Sequence, residues 1–152
     1  MQSIEELRYL IKAADKEGEM QYARMLASLD ITPSQNEVLK ILSIKDGLSI
    51  SEIGELLICG SDNPSRLVER LMHKELVEKK KNTFDSRVIN IYITEMGKKM
   101  LTKTNIIETK FNNLIQETLE NKISVENFIE VLRLQVKNTK TLSKIDQRNA
   151  LI

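Results

Sequence analysis

Tryptophan is absent from the 152 residues, and the chain has only one cysteine, one histidine, two prolines and five glycines. A single cysteine cannot close an internal disulfide, so a disulfide-stapled secreted scaffold is excluded. One histidine and one cysteine cannot assemble a Cys/His metal site, and no metal or cofactor is expected. The scarcity of Gly and Pro, with 41% hydrophobic and 30% charged residues, excludes collagen-like and disordered chains. No apolar run approaches the ~18 residues of a membrane span. Met1-Gln2-Ser3-Ile4-Glu5 is not a basic-then-apolar signal. Gly-rich phosphate loops and nucleophile–histidine motifs are also missing, so the chain does not read as an enzyme. A soluble, cytoplasmic protein of one domain, either of ordinary size or with extensions, is the expectation. A large excess of one charge is lacking too: the formal net charge is +1. Taken whole, that counts against nucleic acid, which is bound largely by Lys and Arg.

What the chain does have is helical periodicity. Ile4, Leu7, Ile11 and Ala14, then Tyr22, Met25, Leu26 and Leu29, predict a helix over the first thirty residues, weakened at Gly18. Thr32-Pro33-Ser34-Gln35 places a hydroxyl at the N-cap, proline at N1 and a glutamine able to reach back. The helix it opens buries Val38, Leu39, Ile41 and Leu42 and closes at Lys45-Asp46-Gly47. Ser49-Ile50-Ser51-Glu52 opens a third helix in the same way. A fourth, from about Asp62 to Lys74, follows a tight break at Gly60-Ser61, with Pro64 in its first turn and Leu67, Val68 and Leu71 inward.

The period then changes. Leu76-Val77 and Val88–Ile93 read as short strands, and Glu78–Arg87 between them as a polar hairpin tip. Thr94 caps a further helix carrying Met96, Met100, Ile107, Phe111 and Leu114. After a turn at Asn121-Lys122, a last helix presents Val125, Phe128, Ile129, Leu132 and Val136 before turning polar towards Ile152.

Two short helices joined by a tight break and followed by a basic hairpin describe a winged helix-turn-helix. The fold class expected is mainly α (α+β), with a β-hairpin wing. A helix with polar and basic outward residues fits the major groove, while a hairpin can carry cations to the backbone or minor groove. On the fourth helix Asn63 suits adenine edges, Arg66 suits guanine and Ser65 suits phosphate or base; Arg70 is a further candidate, and Ser61 another in the break before it. Lys79, Lys80 and Lys81 lack interleaved aromatics, so duplex backbone is the better partner than single strands. A solvated charge run and an ordinary surface ion pair at Asp85–Arg87 remain open alternatives.

Residues 32–101 resemble the MarR family of bacterial transcriptional regulators. The resemblance rests on Thr32–Gln35, Ser49–Glu52, Ser65-Arg66-Leu67-Val68-Glu69-Arg70-Leu71, Asp85-Ser86-Arg87 and Ile93-Thr94-Glu95-Met96-Gly97. It implies that Arg87 enters the minor groove and that Asp85 holds its guanidinium. It also implies a homodimer formed by the flanking helices, residues 1–30 and 105–152, around a DNA-binding domain at 31–104. Such a dimer would read a pseudo-palindromic operator, as a repressor open to modulation by a small ligand. The chain departs from the family pattern at Glu75, where glycine is usual, and at Ile58-Cys59-Gly60-Ser61. Cys59 is expected to be structural, and Tyr9 and Tyr22 to be packing residues, with an effector cavity as the alternative.

Charge by region reverses the first impression. Residues 61–103 carry ten Lys/Arg against six Asp/Glu, whereas the remainder is mildly acidic. The competing expectation, a winged-helix protein-interaction module, would require a neutral or acidic recognition surface.

Overall fold

The structure, a computed structural model, describes residues 2–58 and 63–152. In chain order its elements are α1 (Ser3–Leu26), α2 (Pro33–Ile44), β1 (Leu48–Ser49), α3 (Ile50–Leu56), α4 (Pro64–His73), β2 (Val77–Lys81), β3 (Ile89–Ile93), α5 (Glu95–Leu119), α6 (Val125–Gln135) and α7 (Lys140–Asn149). The mainly helical winged helix-turn-helix is the observed fold. Its antiparallel sheet has the order β1-β3-β2, with Leu48 opposite Ile91, and Val77 opposite Ile93.

Local sequence decides where the central helices begin. Thr32 and Ser49 each complete a reciprocal capping box, with Gln35 and Glu52 respectively. The bonds from the Ser49 backbone N–H and hydroxyl hold the Glu52 carboxyl below its ordinary range. That contribution to α3 is present above the usual carboxylate pKa and is lost as pH falls through the lowered value. The core lies between α2, α3, α4 and the sheet, where Val38, Leu39, Leu42, Ile53, Leu67, Val68, Leu71 and Ile91 are fully buried. Each buried leucine or isoleucine there stabilises by about 1.5–3 kcal/mol.

Two glycines are required by geometry. At Gly47 the backbone is left-handed, φ 74°, and a Cβ would lie 2.8 Å from the Tyr92 ring. A Cβ on Gly97 would lie 2.1 Å from the Leu76 carbonyl oxygen. Beside it, the Thr94 hydroxyl accepts from Gly97 N–H at 3.0 Å and donates to the Glu75 carbonyl at 2.7 Å. The Thr-Glu-x-Gly element therefore fastens the base of the wing to the start of α5.

Glu75, between α4 and β2, adopts φ 58°. A left-handed non-glycine residue costs about 1 kcal/mol. Glu75→Gly is accordingly expected to stabilise the fold by about that amount. A urea-unfolding midpoint that does not rise would refute this.

Two expectations are corrected. The periodicity from Val125 towards Ile152 predicts one helix. The structure breaks it where Asn138 turns left-handed, φ 63°, and Thr139 caps α7 by accepting from Leu142 N–H at 3.2 Å. Helix α7 returns to pack on α3. Finally, Glu78–Lys81 lie in strand β2 rather than in a hairpin tip, because they pair in register with Tyr92, Ile91, Asn90 and Ile89.

Candidate nucleic-acid interface

Helix α4 is held by one apolar edge, Leu67, Val68 and Leu71, and every other residue from Ser65 to Arg70 is exposed. Arg66 and Arg70 stand one turn apart on the outer face, without an ion-pair partner among the described residues. Ser65, Glu69 and His73 form a neighbouring ridge. With Met72 and Lys79 of β2 they line a depression of about 410 Å³ between helix and wing.

Asn63 has a different task from the one expected. It is the N-cap of α4, and its Oδ1 accepts from Ser65 N–H at 2.8 Å. That oxygen is committed to the helix, so a bidentate reading of adenine by Asn63 would break the cap. The described helix runs from Pro64, with Asn63 as its cap. Ser61, Asp62 and Cys59 lie outside the described residues.

The lysine triplet does not act as a unit. Strand alternation puts Lys79 and Lys81 on the side of Val77, while Lys80 shares the opposite side with Glu78. Lys80 Nζ lies 2.8 Å from Glu78 Oε1 and 5.0 Å from the centre of the Tyr92 ring. The bond that Lys80 donates to the Glu78 carboxylate raises the Lys80 pKa above its ordinary value. Lys79 and Lys81 carry no ion pair among the described residues and are the cations left to reach outward.

At the wing tip, Asp85 bonds to backbone rather than to a guanidinium. Its Oδ1 accepts from Arg87 N–H at 3.0 Å, and its carbonyl accepts from Val88 N–H at 3.0 Å. The expected clamp on the Arg87 guanidinium is absent from this arrangement; Asp85 shapes the turn from which Arg87 projects. Asn82, not singled out from the sequence, organises the same turn. Its Oδ1 accepts from Phe84 and Asp85 N–H at 2.8 and 3.2 Å. Its Nδ2 donates to Asn90 Oδ1 at 3.1 Å, and Asn90 Nδ2 donates to the Gly47 carbonyl. A side-chain amide relay thus ties the wing tip to the segment entering β1. The asparagines at either end of the hairpin were its only trace in the sequence.

Behind the recognition elements, Glu37 of α2 is 5% exposed. Its Oε1 accepts from the Arg148 guanidinium of α7 and from Ile58 N–H, the latter at 2.9 Å. Lys144 Nζ donates to the Gly54 and Leu57 carbonyls at 2.8 and 3.0 Å, satisfying acceptors at the end of α3. Helix α7 therefore secures the C-terminal end of α3 and, through Glu37, Ile58 just beyond it.

The flanking helices leave apolar surface uncovered: Ile4, Leu7, Leu10 and Ile11 on α1, Leu114 and Ile115 on α5, and Ile129, Leu132 and Leu134 on α6 are all exposed. Where α1 meets α5, Tyr22 stacks on Phe111, with ring centres 4.9 Å apart, and its hydroxyl accepts from Asn36 Nδ2 at 2.9 Å. Beside them is a cavity of about 460 Å³, lined by Gly18, Tyr22, Ile58, Phe111 and Ile115 together with the carboxylates of Asp15 and Glu19. Tyr22 thus serves in packing and lines the cavity. Tyr9 does not line it; its ring carries Arg8 at 4.8 Å. Among the described residues, no three His, Cys, Asp or Glu side chains group as a metal site, and no helix is long and apolar enough to cross a membrane.

No protein-family model matches the sequence. The chain is 29% identical over 92 residues to the organic hydroperoxide resistance transcriptional regulator of Bacillus subtilis, covering 60% of this chain and 63% of that one. It is 27% identical over 134 residues to the HTH-type transcriptional regulator SarZ of Staphylococcus aureus, covering 81% and 89%. The chain spans about half to two thirds of the length of the first curated relatives it matches. Among solved structures it superposes on a mutant MarR from E. coli complexed with operator DNA, with a TM-score of 0.72 and 24% identity, covering 88% of this chain and 95% of that one. The fold is that of the MarR-type regulators.

Proposed function

Starting from that shared fold, we propose that the protein is a homodimeric, sequence-specific double-stranded DNA-binding transcriptional regulator of the cytoplasm, acting as a repressor. The observation that carries this reading is the set of exposed cations on two adjacent elements. Arg66 and Arg70 project from α4, and Lys79, Lys81 and Arg87 from the wing, none with an ion-pair partner among the described residues. Arg66 and Arg70 suit base edges or phosphates of the major groove, Ser65 a phosphate, and the wing cations the backbone and minor groove beside it. A protein-interaction module would need a neutral or acidic surface here, which these side chains oppose.

The exposed apolar residues of α1, α5 and α6 support a two-fold dimer, which buries on a second copy what one chain leaves in water. Two recognition helices about 34–36 Å apart would read a pseudo-palindromic site. The cavity beside Tyr22 and Phe111 suits a small, flat, apolar effector. Ile58 lines it and also donates its N–H to Glu37, so a ligand there would press on the connection to α4.

The test is a duplex titration at several salt concentrations, using DNA selected from random sequence by the protein itself. Binding is expected to weaken with a slope of about −0.9 in log K against log[salt] for each phosphate neutralised. Failure to select any duplex, or a flat salt dependence, would overturn the reading. Light scattering that returned a monomer would remove the dimer.

A further inference from the structure

Phe84, at the tip of the wing, is 98% exposed. An aromatic ring carries 150–250 Å² of largely apolar surface, and leaving it in water is unfavourable unless a partner covers it. The backbone that presents it is well ordered by hydrogen bonds. Phe84 N–H donates to Asn82 Oδ1 at 2.8 Å, Asp85 N–H donates to the same atom at 3.2 Å, and Asn82 is tied through Asn90 to Gly47. Asn82 Oδ1 and Asp85 Oδ1 are engaged with the backbone of the turn, and the ring is left in solvent.

Its neighbours distinguish between partners. Asn82, Thr83, Asp85 and Ser86 are polar, and the other exposed apolar side chains of the wing, Val88 and Ile89, are 37% and 45% exposed, short of the broad patch that docks a protein or a bilayer. Lys81 precedes it by three residues and Arg87 follows by three, both exposed. An isolated apolar ring flanked by cations matches a duplex: phosphates on either side and a base step between them. Apolar side chains inserted in this way unstack one step and kink the helix, most readily at pyrimidine–purine steps.

Building on the regulator reading above, we propose that Phe84 is an apolar wedge that enters the minor groove beside Arg87 and makes the protein favour operators with a flexible pyrimidine–purine step under the wing. The contact displaces no counterion, which separates it from the cationic contacts around it.

The test uses duplexes selected from random sequence by the wild-type protein. Phe84→Ala is expected to lower affinity about fivefold to tenfold, with the salt slope unchanged, and to reduce the bend measured by end-to-end energy transfer. Phe84→Leu should retain most of the affinity. Because the chain has no tryptophan, Phe84→Trp introduces its sole indole, whose emission is expected to change when duplex is added. An exposed position predicts equal urea midpoints for all three variants, which keeps folding out of the comparison. Phe84→Ala with wild-type affinity and bend, or indole emission that ignores bound duplex, overturns the wedge while leaving the regulator intact. Emission that shifts on phosphatidylglycerol vesicles and not on duplex also overturns it. A wild-type protein that selects no duplex overturns the regulator reading itself.

Discussion

Arg148→Ala is expected to destabilise the protein by about 3 kcal/mol, although the residue lies far along the chain from α4 and the wing. The cause is Glu37. Its carboxylate is 5% exposed, and Arg148 keeps 18% side-chain exposure. Removing one member of such a pair leaves a buried charge less well compensated, which costs about 3–5 kcal/mol. The low end applies because Ile58 N–H still donates to Glu37. Glu37→Gln combined with Arg148→Ala should recover part of the loss, since a neutral amide is cheaper to bury. Urea unfolding of the two single variants and the double variant measures this. A loss under ~0.5 kcal/mol for Arg148→Ala, the size of an ordinary surface change, would show that α7 does not hold Glu37 in solution.

Arg87→Ala is expected to reduce duplex affinity about tenfold to a hundredfold, the range for loss of one well-placed arginine contact, and to reduce the salt slope by about 1. Stability should be unchanged, because Arg87 is exposed and contributes only its backbone N–H to the turn. Asp85 makes the result more informative. Since its side chain accepts a backbone N–H, Asp85→Asn preserves the turn and is expected to bind nearly as well as wild type. Asp85→Ala removes the acceptor and should weaken binding by disordering the tip. If Asp85 instead held the guanidinium, Asp85→Asn would be nearly as damaging as Arg87→Ala. Anisotropy titrations of the three variants distinguish the two roles.

The parts of this structure legible in the sequence are those whose cause is local. Thr32 with Gln35 and Ser49 with Glu52 are three residues apart, and both boxes form as their spacing requires. Pro64 can only stand in a first turn, and the inward edge of α4 follows from Leu67, Val68 and Leu71. The misread features depend on partners the sequence does not place. Lys79–Lys81 read as one cluster until the register with β3 assigns alternate residues to opposite faces. Asn63 reads as a base-pairing side chain until the helix start at Pro64 makes it a cap. Asp85 is two residues from Arg87 whether it bonds guanidinium or backbone, so spacing alone cannot choose. The separation of α6 from α7 turns on a left-handed Asn138, a conformation asparagine tolerates but does not announce.

The lock on Glu37 also has a direction in time. Its partner Arg148 is 111 residues further along the chain. At a synthesis rate of ~5–20 residues per second, roughly 6 to 22 s separate the two on the ribosome. In the later part of that interval α3 and α4 already have their caps and their apolar edges, but the carboxylate behind them lacks its guanidinium. A nascent chain interrupted in that window would carry α3 and α4 without their fastening, and would be the form most open to chaperones and proteases.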